Sequence, residues 1–170
     1  MPDQLPETHR LNEQAARATE AIRGQIQSQG ELPTASVTYT PYPEAPSGLS
    51  GVTIPTRWRI QLINPNGDDA IGLDLYGEVL MGRGNAEGIQ SFIDLSAWGA
   101  AELGVSRQHM LLRATPAALQ AIDVGSTNGV YQNGVRITLG IPCNLADGDI
   151  ILLGNLALIL RIIAQPGAAG

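Results

Sequence analysis

The sequence predicts an all-β sandwich of two antiparallel sheets, with about eleven short strands, preceded by one amphipathic helix and a proline-rich linker. Three observations predict it. From Thr56 onward, short runs of Val, Ile, Leu and Tyr are punctuated by Asn66-Gly67, Asn128-Gly129, Asn133-Gly134 and Asp147-Gly148, pairs that accept the positive backbone angles of tight hairpin turns. No run of helical period competes within that region. Ahead of it, Leu11, Ala15, Ala18, Ile22 and Ile26 recur at spacings of four, three, four and four, which places them on one face of a helix.

The helix occupies the segment 1–30. Pro6 suits its first turn, Glu7 sits at the positive end of its dipole, and Gly30 supplies a left-handed stop. Two of its stripe residues are alanine, so the stripe is thin, and the spacing leaves open whether the helix docks on the domain or swings free. Residues 31–55 hold five of the 11 prolines (Pro33, Pro41, Pro43, Pro46 and Pro55) and read as a flexible linker. The domain follows over 56–164, with a tail at 165–170. Its candidate strands are 58–63, 71–75, 78–81, 92–94, 109–113, 119–123, a piece around Val130, 135–137, 143–145, 150–153 and 156–162. The apolar run 150–163 is too short to span a membrane and is broken by Gly154, Asn155 and Arg161. It reads as two buried strands joined by a Gly-Asn turn.

Composition excludes several function classes. A net charge of −6 over 170 residues argues against nucleic acid, whose phosphates need a stripe of cations. All 10 basic residues are arginine, which removes the Walker-type phosphate lysine, the Schiff-base lysine and the lysine general base. Cys143 stands alone, so neither an internal disulfide nor a cysteine-rich zinc site is expected. The polar N-terminus lacks the apolar core of a secretory signal, and a cytoplasmic protein with no membrane partner is expected.

The chemistry lies in an ordered series of loop motifs, each where one strand ends and the next begins. Met81-Gly82-Arg83 comes first, then Val105-Ser106-Arg107-Gln108-His109, then Asp123-Val124-Gly125-Ser126-Thr127-Asn128-Gly129, then Asn133-Gly134, then Asp147-Gly148-Asp149. In that order and spacing the chain, from about Arg57 to Ile163, resembles the forkhead-associated (FHA) family, bacterial members included. The resemblance implies an FHA-type β-sandwich that binds phosphothreonine in partner proteins, works beside Ser/Thr kinases, catalyses nothing, and needs neither cofactor nor metal.

By that resemblance Arg83, Ser106, Arg107, Thr127 and Asn128 contact the phosphopeptide, with Asn128 pairing to its main chain, while Gly82, His109, Gly129 and Asn133 support the site. The residue types fit the task. A phosphothreonine carries close to two negative charges and several acceptor oxygens, which call for a planar guanidinium and short hydroxyl and amide donors. His109 lies three residues after Ser106, a spacing that suggests nucleophile and base. A histidine entering an apolar strand is more often a satisfied structural group, and the resemblance assigns it to the framework. The stretch 95–104 is longer than the family pattern. Its Trp98 and Leu103 either meet the peptide beyond the phosphothreonine or cover the underside of the loop. Thr34 in the linker, with Val37 three residues on, is the threonine whose phosphorylation would let the chain fold back into its own site. The alternative reading is a phosphate-independent scaffold that uses the sandwich and the N-terminal helix.

Overall fold

The computed structural model describes residues 7–29, 39–42, 57–67, 69–84, 89 and 91–166. Helix α1 (Glu7–Gln29) is followed by twelve strands: β1 (Tyr39–Tyr42), β2 (Trp58–Ile63), β3 (Ala70–Leu75), β4 (Glu78–Gly82), β5 (Phe92–Asp94), β6 (Met110–Ala114), β7 (Leu119–Asp123), β8 (Val130–Gln132), β9 (Val135–Arg136), β10 (Cys143–Leu145), β11 (Ile150–Leu153) and β12 (Leu156–Ala164). They form a seven-stranded sheet in the order β1-β3-β2-β12-β11-β8-β9 and a five-stranded sheet in the order β10-β7-β6-β4-β5. This is the two-sheet sandwich that the hydrophobic pattern predicts. All pairs are antiparallel except two at sheet edges, β1 with β3 and β4 with β5.

Strand β1 corrects one expectation. The stretch 31–55 was expected to be linker throughout, yet Tyr39–Tyr42 pairs in parallel with Gly72 to Leu75. Pro41 can sit there because an edge strand leaves half its N–H groups without a ladder partner. Thr34, with the rest of 31–55 apart from 39–42, lies outside the described residues.

The core explains the strand patterns. In β2, Trp58, Ile60 and Leu62 point inward while Arg59 and Gln61 alternate outward, the two-residue period of a half-buried strand. Strand β11 and the first five residues of β12 are instead buried on both faces. Ile151, Leu153, Leu156, Leu158 and Leu160 fill the space between the sheets. Ile150, Leu152, Ala157 and Ile159 face the other way, into a second cluster with Ile63 and Tyr131.

That outer face is covered by α1. Ala15 and Ile22 are buried in the second cluster, with Leu11, Ala18 and Ile26 packed at its margin, so the stripe read from spacing is the docked face. Small residues allow close approach. A side chain at Gly134, in the β8–β9 turn, would lie 3.2 Å from the Cα of Ala16. Thr19, also buried, donates its hydroxyl to the Ala15 carbonyl at 2.9 Å and so adds no unpaired polar group. Among the described residues no helix is long and apolar enough to cross a membrane.

Burial of one aliphatic side chain contributes about 1.5–3 kcal/mol, so Ile22→Asp is expected to release α1 from the sheet. Amide hydrogen exchange checks this: protection across residues 7–29 should fall while that of β6 and β7 stays. Unchanged protection in the helix would mean that the stripe does not hold it.

Candidate functional site

Three connections converge at one end of the sandwich: the residues after β4, the approach to β6, and the loop from β7 to β8. Their closeness begins with a glycine. A side chain at Gly82 would overlap the Arg107 carbonyl oxygen and come within 2.8 Å of the Ser106 carbonyl oxygen. The two segments are tied there, His109 N–H donating to Met81 at 2.9 Å and Arg83 N–H to Ser106 at 3.2 Å.

Arg83 stands at this junction, half-buried. Its Nε–H donates to the Val105 carbonyl at 2.8 Å, which fixes the guanidinium plane and leaves the donors of the two terminal amino groups uncommitted by that bond. The turn behind it is held by Asp94, which accepts from Gly84 N–H at 2.9 Å, Ser96 N–H at 2.9 Å and the Ser96 hydroxyl at 2.6 Å. The Ser96 hydroxyl bond keeps the Asp94 carboxyl below the usual carboxylate range, helped by the two amide donors.

The second and third loops meet through Ser106. Its hydroxyl accepts from Thr127 N–H at 3.0 Å and lies 3.5 Å from the Thr127 hydroxyl, so two short hydroxyls stand side by side. Asn128 donates from its amide to the Gly104 carbonyl at 2.9 Å. A side chain at Gly104 would approach that amide to 2.5 Å, and Gly104 already needs a φ of 78°. Arg107 is exposed, with no carboxylate partner among the described residues.

Beneath the loops lies His109, fully buried. Its Nδ1 accepts from Ser106 N–H at 2.9 Å, and its Nε2 lies 2.8 Å from the Gly129 carbonyl oxygen. An amide N–H can only donate, so the ring is neutral with its proton on Nε2. Burial also lowers its pKa from the ordinary value, against the opposing pull of the Gly129 carbonyl and Asp123. Both nitrogens are engaged, and the imidazole has no free position with which to activate Ser106.

Sequence reasoning did not single out the residues that shape the third loop. Asp123, buried at the end of β7, accepts from Gly125 N–H at 3.1 Å, Ser126 N–H at 2.9 Å and the Ser126 hydroxyl at 3.1 Å. Ser126 in turn accepts from Gly129 N–H at 3.0 Å. An Asp followed by Gly and Ser is the signal for such a side-chain-closed turn, and it was present in the motif. Asn133 differs from its expected supporting role. It sits at the far end of β8 with φ 51° and bonds Asp149 and Ile150, so it serves its own turn and not the three loops. Trp98 and Leu103 both pack against the main core, half-buried. Among the described residues no cluster of His, Cys, Asp or Glu is arranged to hold a metal ion. The assembled donors, one planar cation, two hydroxyls and an amide, suit an anion with several acceptor oxygens.

The His109 bridge has a pH signature. A histidine whose folded pKa lies below its unfolded value of about 6.5 binds fewer protons when folded, so its contribution is complete above that value. It is lost as pH falls from about 6.5 through the depressed folded pKa. Urea denaturation at stepped pH is expected to show this loss in the native chain and its absence in His109→Gln. An identical slope in both proteins would rule the assignment out.

Residues 79–154 match the family model of the FHA domain. An ABC transporter ATP-binding/permease protein of Mycobacterium tuberculosis is 36% identical over 58 residues, a stretch amounting to 34% of this chain and 6% of the transporter. The solution structure of the FHA domain of an Arabidopsis thaliana hypothetical protein superposes with a TM-score of 0.51 at 24% identity, over 72% of this chain and 100% of the plant domain. A domain solved in a study of phosphothreonine-dependent FHA domain interactions superposes with a TM-score of 0.48 at 27% identity, over 63% of this chain and 99% of its own length. The family match and the shared two-sheet fold make residues 79–154 of this chain an FHA domain.

Proposed function

We propose that the domain is a phosphothreonine-dependent binding module that recruits segments phosphorylated by Ser/Thr kinases, with Arg83, Ser106, Arg107, Thr127 and Asn128 as its contact set and no catalytic role. The carrying observation is the junction of Arg83, Ser106 and Thr127, where a guanidinium fixed through Nε on the carbonyl preceding Ser106 belongs to a residue whose backbone is bonded to Ser106, and the Ser106 and Thr127 hydroxyls stand side by side. Such a set recognises a dianion by charge-assisted hydrogen bonds without reorganising. Asn128 lies beside it on a rigid loop, its amide able to exchange the Gly104 carbonyl for a peptide main chain. A binding role is further supported by His109, whose two nitrogens both hold loop backbone.

The helix bears on the scaffold alternative. The apolar stripe of α1 is spent on its own sheet, so joining chains through that stripe would first require undocking it. Operation in the cytoplasm, where kinases supply the phosphate, fits this reading.

Each charge-assisted hydrogen bond contributes roughly 1.5–3 kcal/mol, so Arg83→Ala should weaken binding of a phosphothreonine peptide by about tenfold to a few hundredfold. Calorimetric titration with a phosphothreonine-oriented library, its phosphoserine counterpart and the unphosphorylated peptides gives the comparison. Equal affinity for phosphorylated and unphosphorylated peptides would end the proposal.

A further inference from the structure

The arginines of the sandwich divide sharply. Arg57 and Arg59 pair with Asp74 at 3.3 and 2.8 Å, Arg113 with Glu78 at 2.6 Å and Arg161 with Asp147 at 3.1 Å. Arg83, Arg107 and Arg136 have no carboxylate partner among the described residues. Two of these three belong to the proposed contact set. Arg136 does not, and sequence reasoning gave it no role.

Arg136 lies in β9 opposite Tyr131, with its guanidinium laid directly over the third loop. A side chain at Gly129 would come within 3.0 Å of Arg136 Nε, 3.2 Å of its Cζ and 3.3 Å of its Nη2. The cation therefore stands one residue beyond Asn128, and the missing side chain at Gly129 is what admits it. It borders an open cleft with Gly125, Ser126, Thr138 and Leu139. The cleft also contains Asp123, but that carboxylate is 1% exposed and already accepts three hydrogen bonds from its own loop. Thr138 is exposed and lines the same cleft, a residue with a hydroxyl to donate. In a chain with a net charge of −6, an exposed cation left without a carboxylate, beside a hydroxyl and against the loop that holds Thr127 and Asn128, is a place for an anion from outside.

We infer that Arg136 is the cation of a second anion subsite, which takes a further acidic group of the same partner segment whose phosphothreonine lies at Arg83 and Ser106. The subsite rests on the phosphothreonine reading and refines it. The domain would then select phosphothreonines flanked by one more negative charge. Carboxylate and phosphate share the chemistry that a guanidinium and a hydroxyl recognise, so the group is an Asp or Glu side chain or a second phosphorylated residue.

The test uses the full chain and a phosphothreonine peptide otherwise uncharged, into which one Glu, or one phosphoserine, is placed at each flanking position in turn. At one position Glu should strengthen binding by about threefold to fivefold, the range of an exposed ion pair, and phosphoserine by more. Arg136→Gln should erase the difference between acidic and uncharged peptides. Arg136→Glu should reverse it, so that Arg is preferred at that position. A gain with phosphoserine alone supports the subsite and assigns it to doubly phosphorylated partners. No gain at any position, or a gain that survives Arg136→Gln, overturns the subsite while leaving the phosphothreonine reading intact. Failure of the uncharged phosphothreonine peptide to bind removes both.

Discussion

The imidazole of His109 spans the gap between two loops that share no strand. One nitrogen receives the Ser106 amide and the other donates to the Gly129 carbonyl, so the residues presenting Ser106 and those presenting Asn128 are held at the width of a single ring. The same Gly129 carbonyl accepts a second donor, Gly154 N–H at 3.0 Å, which ties in the β11–β12 turn. In a dry interior each of these bonds is strong, and the cost of leaving one unmade is large. The geometry also demands absent side chains. One at Gly154 would lie 2.8 Å from both the Leu103 and the Gly104 carbonyl oxygens, and Gly82 and Gly104 are confined in the same way. The site is rigid because histidine fills the gap and glycines allow the backbones to close upon it.

The helix extends this framework on the opposite side of the sheet. Gln14 donates to the Asn155 side chain at 3.3 Å, and Asn155 N–H donates to Leu103 at 2.8 Å, next to the glycine whose carbonyl holds Asn128. Leu11, Gln14 and Ala15 line a small cavity together with Asn128, Tyr131 and Asn155. Helix docking and loop placement are thus contiguous, through packed groups and not through a hinge.

Much of this was legible in the sequence because its signals were local. Alternation in β2 and the Asn-Gly and Asp-Gly pairs gave the strands and turns, and the motif series of Gly82-Arg83, Ser106, His109 and Thr127-Asn128 marked the loops that the fold brings together. What stayed hidden depends on tertiary context. Strand β1 carries proline and pairs only at an edge. The alanines of α1 gave a stripe too thin to decide docking, although the continuous apolar run of β11 and β12 is the pattern of strands covered on both faces. Asp94, Asp123 and Ser126 act through backbone bonds that short polar residues make in many turns, and composition does not distinguish them. Arg136 became visible only when the partners of the other arginines were known.

The restriction of positive charge to arginine acquires a physical meaning at the site. Arg83 uses one N–H to lock its plane against the Val105 carbonyl and still offers two amino groups in a fixed fork. A lysine has a single ammonium on a freely turning stem, and tethering it would consume the group that must meet the ligand. Arg136 shows the same economy of shape, since a flat guanidinium can lie across the backbone at Gly129 where a tetrahedral ammonium would touch it at one point. Elsewhere on the sandwich the arginines are neutralised by Asp74, Glu78 and Asp147. Among the described residues of the sandwich, the arginines left without a carboxylate are thus Arg83, Arg107 and Arg136, each in or against the three loops, where their field favours an anion.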